Sequence, residues 1–231
     1  MTKNQIFCAV DTVDVGAARN LVTTVSGLIG GVKLGLEFFT ANGCDGVRKV
    51  MDGATLPLFI DLKFHDIPNT VAGAVRGISC LNPTFFTIHA GGGGAMMKAA
   101  VDAAEGRSKV LAVTILTSLA EADMAPMGIS GSVADQVKRL ADLAQASGVG
   151  GLVCSPHEVT MLRNHIGPTL SLMVPGIRPK GSAADDQART LTPAEALKVG
   201  ADYLVIGRPI TAAADPAQAA RAILDSLTET V

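Results

Sequence analysis

Eight short apolar runs, each followed by a stretch of helical period, constrain this chain more than any other feature. The runs are IFCAVD (6–11), GVKLG (31–35), PLFIDLKF (57–64), FFTIHA (85–90), VLAVTIL (110–116), GLVCS (151–155), LSLMVPG (170–176) and YLVIGR (203–208). Helical spacing fills 14–27, 37–52, 70–80, 94–104, 132–147, 156–164, 192–199 and 215–228. Strands covered on both faces read as continuous apolar runs, because the helices that cross between parallel strands shield each side. Eight such units predict an α/β fold, a single (β/α)₈ TIM-barrel domain over residues 1–231; ~200–250 residues is usual for one domain of that kind. An open doubly wound sheet carries the same local periodicity and is the alternative architecture. Two helix starts have their own chemistry. Thr192-Pro193-Ala194-Glu195 is a capping-box pattern with proline at the first helical position, and Gly200 follows as a stop. Asp215-Pro216 repeats it with Asp as the cap.

A composition that is 48% hydrophobic supplies the core such a barrel needs. A net charge of −2 gives no electrostatic reason to expect nucleic acid or an anionic membrane as a partner. No run of 18 or more apolar residues is present, and MTKNQIFCAVD lacks the apolar stretch of a secretory leader. The cysteines Cys8, Cys44, Cys80 and Cys154 are scattered without a CxxC, and three lie in apolar surroundings, where a reduced cysteine acts as a small hydrophobe. The expectation is a reduced, cytoplasmic protein.

The ends of the strands carry the chemistry. Asp11 closes the first run, Lys33 lies in the second, and the third ends in DLKFHD with Asp61, Lys63, His65 and Asp66. His89 ends the fourth, Thr117 and Ser118 follow the fifth, and Gly207-Arg208 ends the eighth. In a (β/α)₈ barrel all these ends meet at one rim, where active sites are built. On an extended strand Asp61 and Lys63 share a face with Cα atoms roughly 6.8 Å apart, which turns Ile60, Leu62 and Phe64 outward. Charges converging on one rim favour function over packing. Gly207-Arg208-Pro209 suggests a phosphate site, with a glycine for close approach and an arginine for bidentate contact. The long polar segment 175–190 reads as a lid or binding loop, from which Gln187 would reach a phosphate if the loop folds over the mouth.

DLKFHDIPNT at 61–70 resembles the signature of the bacterial orotidine 5′-phosphate decarboxylases. The likeness continues in AVD (9–11), VKLGLE (32–37), HAGGG (89–93), VTILTS (113–118), PGIRPKGS (175–182) and VIGRPI (205–210). It implies a (β/α)₈ barrel that converts orotidine 5′-monophosphate to uridine 5′-monophosphate and carbon dioxide, in pyrimidine biosynthesis, with no metal or organic cofactor. By position it implies Lys63 as proton donor, Asp61 beside the leaving carboxylate, and Lys33 joining Asp61 and contacting ribose. It implies Asp11 as a ribose contact, and a homodimer in which Asp66 and Thr70 reach the neighbouring subunit's site, with Ile67 between them on the substrate. Thr117 and Ser118 fall where the family contacts the pyrimidine; Arg178, Gln187, Gly207 and Arg208 fall on its substrate and phosphate positions.

The chemistry suits these residues. Loss of carbon dioxide from C6 leaves a carbanion with little delocalisation, and an ammonium flanked by carboxylates is suited to stabilise and then protonate it. His65 and His89 read as structural neighbours, His157 and His165 as surface residues, and the glycines at 91–94 as room for the chain at the mouth. Their spacing matches no metal-ligand pattern. The nearest enzymatic alternatives are 3-keto-L-gulonate 6-phosphate decarboxylase and hexulose-phosphate synthase. They share the barrel and a D-x-K-x-x-D motif but use magnesium, held by a glutamate where this chain has Lys33. A non-catalytic nucleotide-binding barrel is the alternative of another class, against which the intact Asp61, Lys63 and Lys33 argue.

Overall fold

The computed structural model describes residues 5–179 and 191–227. In chain order it contains β1 (Ile6–Val10), α1 (Val15–Val25), β2 (Gly31–Gly35), α2 (Leu36–Met51), β3 (Leu58–Phe64) and α3 (Pro68–Ile78). Next come β4 (Phe85–His89), α4 (Gly93–Ala104), β5 (Lys109–Val113), α5 (Glu121–Met124), α6 (Val133–Ala146) and β6 (Gly151–Val153). The remainder is α7 (Val159–Ile166), β7 (Ser171–Val174), α8 (Pro193–Lys198), β8 (Tyr203–Ile206), α9 (Arg208–Thr211) and α10 (Pro216–Ser226). The strands pair in parallel in sequence order, and β8 returns to β1 with Phe7 opposite Val205. The sheet is therefore a closed (β/α)₈ barrel, and the open alternative is excluded.

The expected strands run too long at their C-terminal ends, β5 stopping at Val113, β6 at Val153 and β7 at Val174. Apolar sequence continues past the rim, but regular pairing ends there. β5 and β6 each make one last long bond, Thr114 N–H to the Val153 carbonyl at 3.4 Å and Cys154 N–H to that of Met173 at 3.3 Å. The four-residue helices α5 and α9 are too short to leave a period in the sequence. Both predicted caps form: the Thr192 hydroxyl accepts from the Glu195 N–H at 3.3 Å while Glu195 accepts from the Thr192 N–H at 2.9 Å. Asp215 accepts from the Gln218 N–H at 2.9 Å.

Two apolar layers hold the barrel. The larger lies between strands and helices and includes Ile60 and Leu62, with Phe64 packed against it. The smaller fills the barrel interior with Phe7, Phe59, Phe85, Leu111, Met173 and Val205. There Phe7 meets Phe59, Phe85 and Tyr203 edge to face, with centroids 6.2, 5.5 and 5.7 Å away. Such pairs add about 0.5–1.5 kcal/mol beyond burial. Gly31 makes this possible, because a Cβ there would lie 2.2 Å from the Phe7 ring. With the lower barrel plugged by rings, ligand access is left to the C-terminal rim.

Arg163 ties the opposite end. Its Nε donates to the Gly200 carbonyl at 2.8 Å, and its Nη1 to those of Gly167 (3.1 Å) and Leu170 (2.8 Å). Nη2 meets Asp202, whose carboxylate also accepts from the Leu172 N–H at 2.7 Å. One guanidinium thus joins α7 to the starts of β7 and β8. Of the cysteines, only Cys8 and Cys154 are core residues; Cys44 is half-buried and Cys80 exposed. That corrects the reading of three apolar cysteines, since α2 and the end of α3 lie at the surface there. Among the described residues no helix is long and apolar enough to cross a membrane.

Candidate active site

Parallel strands deliver their C-terminal residues to the same rim, and four charged side chains there alternate in sign. The Lys33 Nζ lies 3.4 Å from Asp11 Oδ1 and 3.5 Å from Asp61 Oδ2. The Lys63 Nζ donates to Asp61 Oδ1 at 2.9 Å. Asp61 is thus shared by two ammonium groups, and Lys33 by two carboxylates. The side chains of Lys33 and Asp61 keep only 11% and 15% of their exposure, so water screens that pair weakly, while Asp11 at 54% stays open to solvent. Gly35 gives it space, because a Cβ there would come within 3.0 Å of the Lys33 Nζ.

Lys63 reaches this position by an unexpected backbone. Its φ is +50°, a region costing a non-glycine residue about 1–2 kcal/mol. The β3–β4 register shifts between Ile60 and Phe64. Lys63 therefore does not stand beside Asp61 through regular strand alternation, as the extended-strand geometry predicts; an irregularity re-aims it. Thr87 on β4 fixes the bend. Its hydroxyl accepts from the Lys63 N–H at 2.8 Å and donates to Asp61 Oδ1 at 2.9 Å. Thr87 is fully buried, so both bonds form away from water. Sequence reasoning missed it; the only signal is one hydroxyl inside the apolar run FFTIH. Replacing Thr87 with valine is expected to cost about 1–3 kcal/mol, since the Lys63 N–H and Asp61 each lose a partner. The same variant should lower turnover more than it raises the Michaelis constant. Unchanged melting and turnover would contradict this role.

Burial alone would raise the Asp61 carboxyl; Lys33, Lys63 and the bonds from Lys63 and Thr87 outweigh it and hold the group below its ordinary value. His89 ends β4 beside the array, with its ring 5.3 Å from that of His65 and tilted by 31°. Burial, then His65 and Lys63, push the His89 ring below its ordinary value of 6.5, against the pull of Asp61. Both shifts act in one direction. A depressed carboxyl contributes stability above its unfolded value, lost as pH falls through its folded one. A depressed histidine resists a proton that the unfolded ring takes up below about 6.5, so acid again favours unfolding. The melting temperature is expected to fall from about pH 7 to about pH 5 through His89, with a further fall below about pH 4 through Asp61. His89→Gln should flatten the first segment; a parent profile already flat there would contradict it.

The other predicted residues separate into two groups. Gly207 stands at the rim against Ala9, and a Cβ there would lie 3.8 Å from Asp11 Oδ2. Arg208 follows it, exposed, as the first residue of α9. Arg178 is held by a bridge that pairs Ile177 with Leu191, and its Nε is buried with no partner among the described residues. Gln187 lies outside the described residues. Asp66, Ile67 and Thr70 are exposed, and Asp66 accepts from the adjacent Ile67 N–H at 2.6 Å instead of joining Lys63. Thr117 and Ser118 are exposed in a turn beyond β5. Within one chain, then, Asp11, Lys33, Asp61 and Lys63 come together, and Asp66 and Thr70 do not. Among the described residues no three His, Cys, Asp or Glu side chains cluster as metal ligands.

The array can hold a cation against a reacting centre and supply a proton to it. The family model for the orotidine 5′-phosphate decarboxylase / HUMPS family matches residues 4–223. The chain belongs to this family. A relative from Rhodospirillum rubrum named orotidine 5′-phosphate decarboxylase is 51% identical, the match covering 96% of this chain and 94% of that protein. Another of that name from Paramagnetospirillum magneticum is 54% identical over 94% of this chain and 95% of its own. The crystal structure of orotidine 5′-phosphate decarboxylase from Lactobacillus acidophilus superposes with a TM-score of 0.84 at 34% identity, covering 96% of this chain and 98% of that one. The chain matches these relatives over nearly the whole of both lengths.

Proposed function

We propose that this chain decarboxylates orotidine 5′-monophosphate to uridine 5′-monophosphate, as a carboxy-lyase of pyrimidine biosynthesis, with no metal or organic cofactor. The observation that carries this reading is the Asp11–Lys33–Asp61–Lys63 array, with the Lys63 ammonium hydrogen-bonded to Asp61 at the rim. As carbon dioxide leaves C6, the electron pair stays on that carbon. The Lys63 ammonium stabilises the developing charge and then transfers a proton to it. Asp61 has a second role. A substrate carboxylate placed against its ionised oxygens meets like charge, which departure of neutral carbon dioxide removes. Lys33 supports this arrangement, because it keeps Asp61 ionised without donating to C6.

Binding elsewhere must offset that repulsion. Asp11 and Lys33 take the ribose, Thr117 and Ser118 the pyrimidine, and Arg178, Gln187, Gly207 and Arg208 the phosphate end. The buried Nε of Arg178, without a described partner, supports an anion there. Asp66, Ile67 and Thr70 complete a second subunit's site in a homodimer. The 67% exposure of Ile67, an apolar side chain set between the exposed Asp66 and Thr70, supports an interface at the start of α3. The whole is one cytoplasmic barrel domain. At the second-strand position where the magnesium-dependent alternatives carry a glutamate, Lys33 supplies a cation instead.

This reading makes remote binding part of the chemistry. Orotidine, which lacks the phosphate, is expected to lose turnover as well as affinity, because binding energy at the phosphate opposes the repulsion at Asp61. Steady-state rates with orotidine and its monophosphate check this. A change confined to the Michaelis constant would overturn it.

A further inference from the structure

Cys44 and Cys80 lie outside the charged array, where α2 meets the short 3₁₀ turn Ser79–Leu81 that ends α3. Gly43, with φ +59° and ψ −162°, interrupts α2 one residue before Cys44. Both thiols point at one acceptor, the Gly77 carbonyl, with Cys44 Sγ 4.0 Å and Cys80 Sγ 3.5 Å from it. Sharing that acceptor makes the two sulfurs neighbours where α2 meets the end of α3. Arg48, one turn beyond Cys44, donates from Nη2 to Cys80 Sγ at 3.0 Å, while Asp45 holds its Nη1 at 2.6 Å. Cys80 is exposed and Cys44 half-buried. A fixed cation against an exposed sulfur is the microenvironment of reactive cysteines, and a second thiol beside it is what resolves their oxidation. Burial, then Cys80, push the Cys44 thiol up, which leaves the exposed Cys80 as the first of the two to meet an oxidant. Cys8 and Cys154 are buried, and burial pushes the Cys8 thiol up to about 12 and the Cys154 thiol well above its ordinary value.

We propose that Cys80 and Cys44 form an oxidation site for hydroperoxides that closes to a disulfide between α2 and the end of α3. The Cys80 thiolate attacks one peroxide oxygen, the O–O bond breaks, and hydroxide or alkoxide leaves. Cys80 is then a sulfenic acid. The Cys44 sulfur attacks the Cys80 sulfur, the S–O bond breaks, and the departing hydroxide takes the Cys44 proton as water. In sum, two thiols and hydrogen peroxide give one disulfide and two waters, the peroxide being the two-electron oxidant. An added dithiol reverses it. The site is distant from the rim, because ten residues, about 15 Å of helix, separate Cys80 from Thr70.

The test is peptide mapping of the full chain, treated with hydrogen peroxide and then alkylated under native conditions. The expected product is one linked peptide joining Cys44 and Cys80, released by dithiothreitol, with Cys8 and Cys154 alkylated only after denaturation. In Cys44→Ser, Cys80 should stop at a sulfenic acid that dimedone traps; in Cys80→Ser, position 44 should give no adduct at the same dose. Arg48→Gln should slow Cys80 oxidation about tenfold. Absence of the linked peptide from the oxidised parent, uniform oxidation of all four cysteines, or an unchanged rate in Arg48→Gln would each overturn the proposal.

Discussion

Lys63→Ala is expected to lower the rate of orotidine 5′-monophosphate conversion on the order of 10⁴-fold or more, while leaving the nucleotide product able to bind. Removing a positioned proton donor costs about 10²–10⁴-fold. Removing a charge aimed at the developing carbanion costs about 10²–10³-fold. In the proposed mechanism one side chain supplies both, so the two losses overlap and do not simply multiply. The residues proposed to bind ribose and phosphate come from other strands, which is why affinity should survive. The loss also leaves Asp61 with one ammonium, Lys33 at 3.5 Å, besides the Thr87 hydroxyl at 2.9 Å. Single-turnover absorbance measurements give the rate, and a titration with uridine 5′-monophosphate reports the intact pocket. A variant within tenfold of the parent would remove Lys63 from the chemistry.

Arg163→Ala carries the second large effect, on stability. The guanidinium satisfies three backbone carbonyls, on Gly200, Gly167 and Leu170, as well as the Asp202 carboxylate. Water reaches part of this cluster, since 43% of the Asp202 side chain is exposed, so a full buried-charge penalty does not apply. Lost hydrogen bonds to a charged group still total about 2–4 kcal/mol. For a chain of this size that corresponds to a melting shift of about 10 °C. Thermal unfolding followed by circular dichroism checks this, and turnover at low temperature should be nearly unchanged because the clamp sits opposite the active rim. A shift below about 2 °C would mean that solvent replaces these bonds at no cost.

Periodicity made the strands and long helices legible, because burial on both faces leaves a continuous apolar run. It could not mark where β5, β6 and β7 leave their partners, since Thr114-Ile115-Leu116 stays largely apolar beyond Val113. The rim charges Asp11, Lys33, Asp61 and Lys63 were legible because charges at the ends of core strands have no packing explanation. The left-handed backbone at Lys63 was not, because no glycine or asparagine marks it; long-range bonds to Thr87 impose it. Thr87 itself is a good strand former and so hides in its run. Arg163 is invisible for a related reason, because its acceptors lie up to 39 positions away. The family resemblance supplied the expectation for Asp66 and Thr70, which local physics leaves as exposed residues after a strand.

The absorbance change of purified protein mixed with orotidine 5′-monophosphate in excess EDTA tests the central claim most directly. The proposed mechanism predicts fast conversion to uridine 5′-monophosphate that chelation leaves unaltered, because it assigns the chemistry to the Lys63 ammonium and its neighbours. No conversion until magnesium is restored would contradict it, and would turn attention to sugar-phosphate substrates.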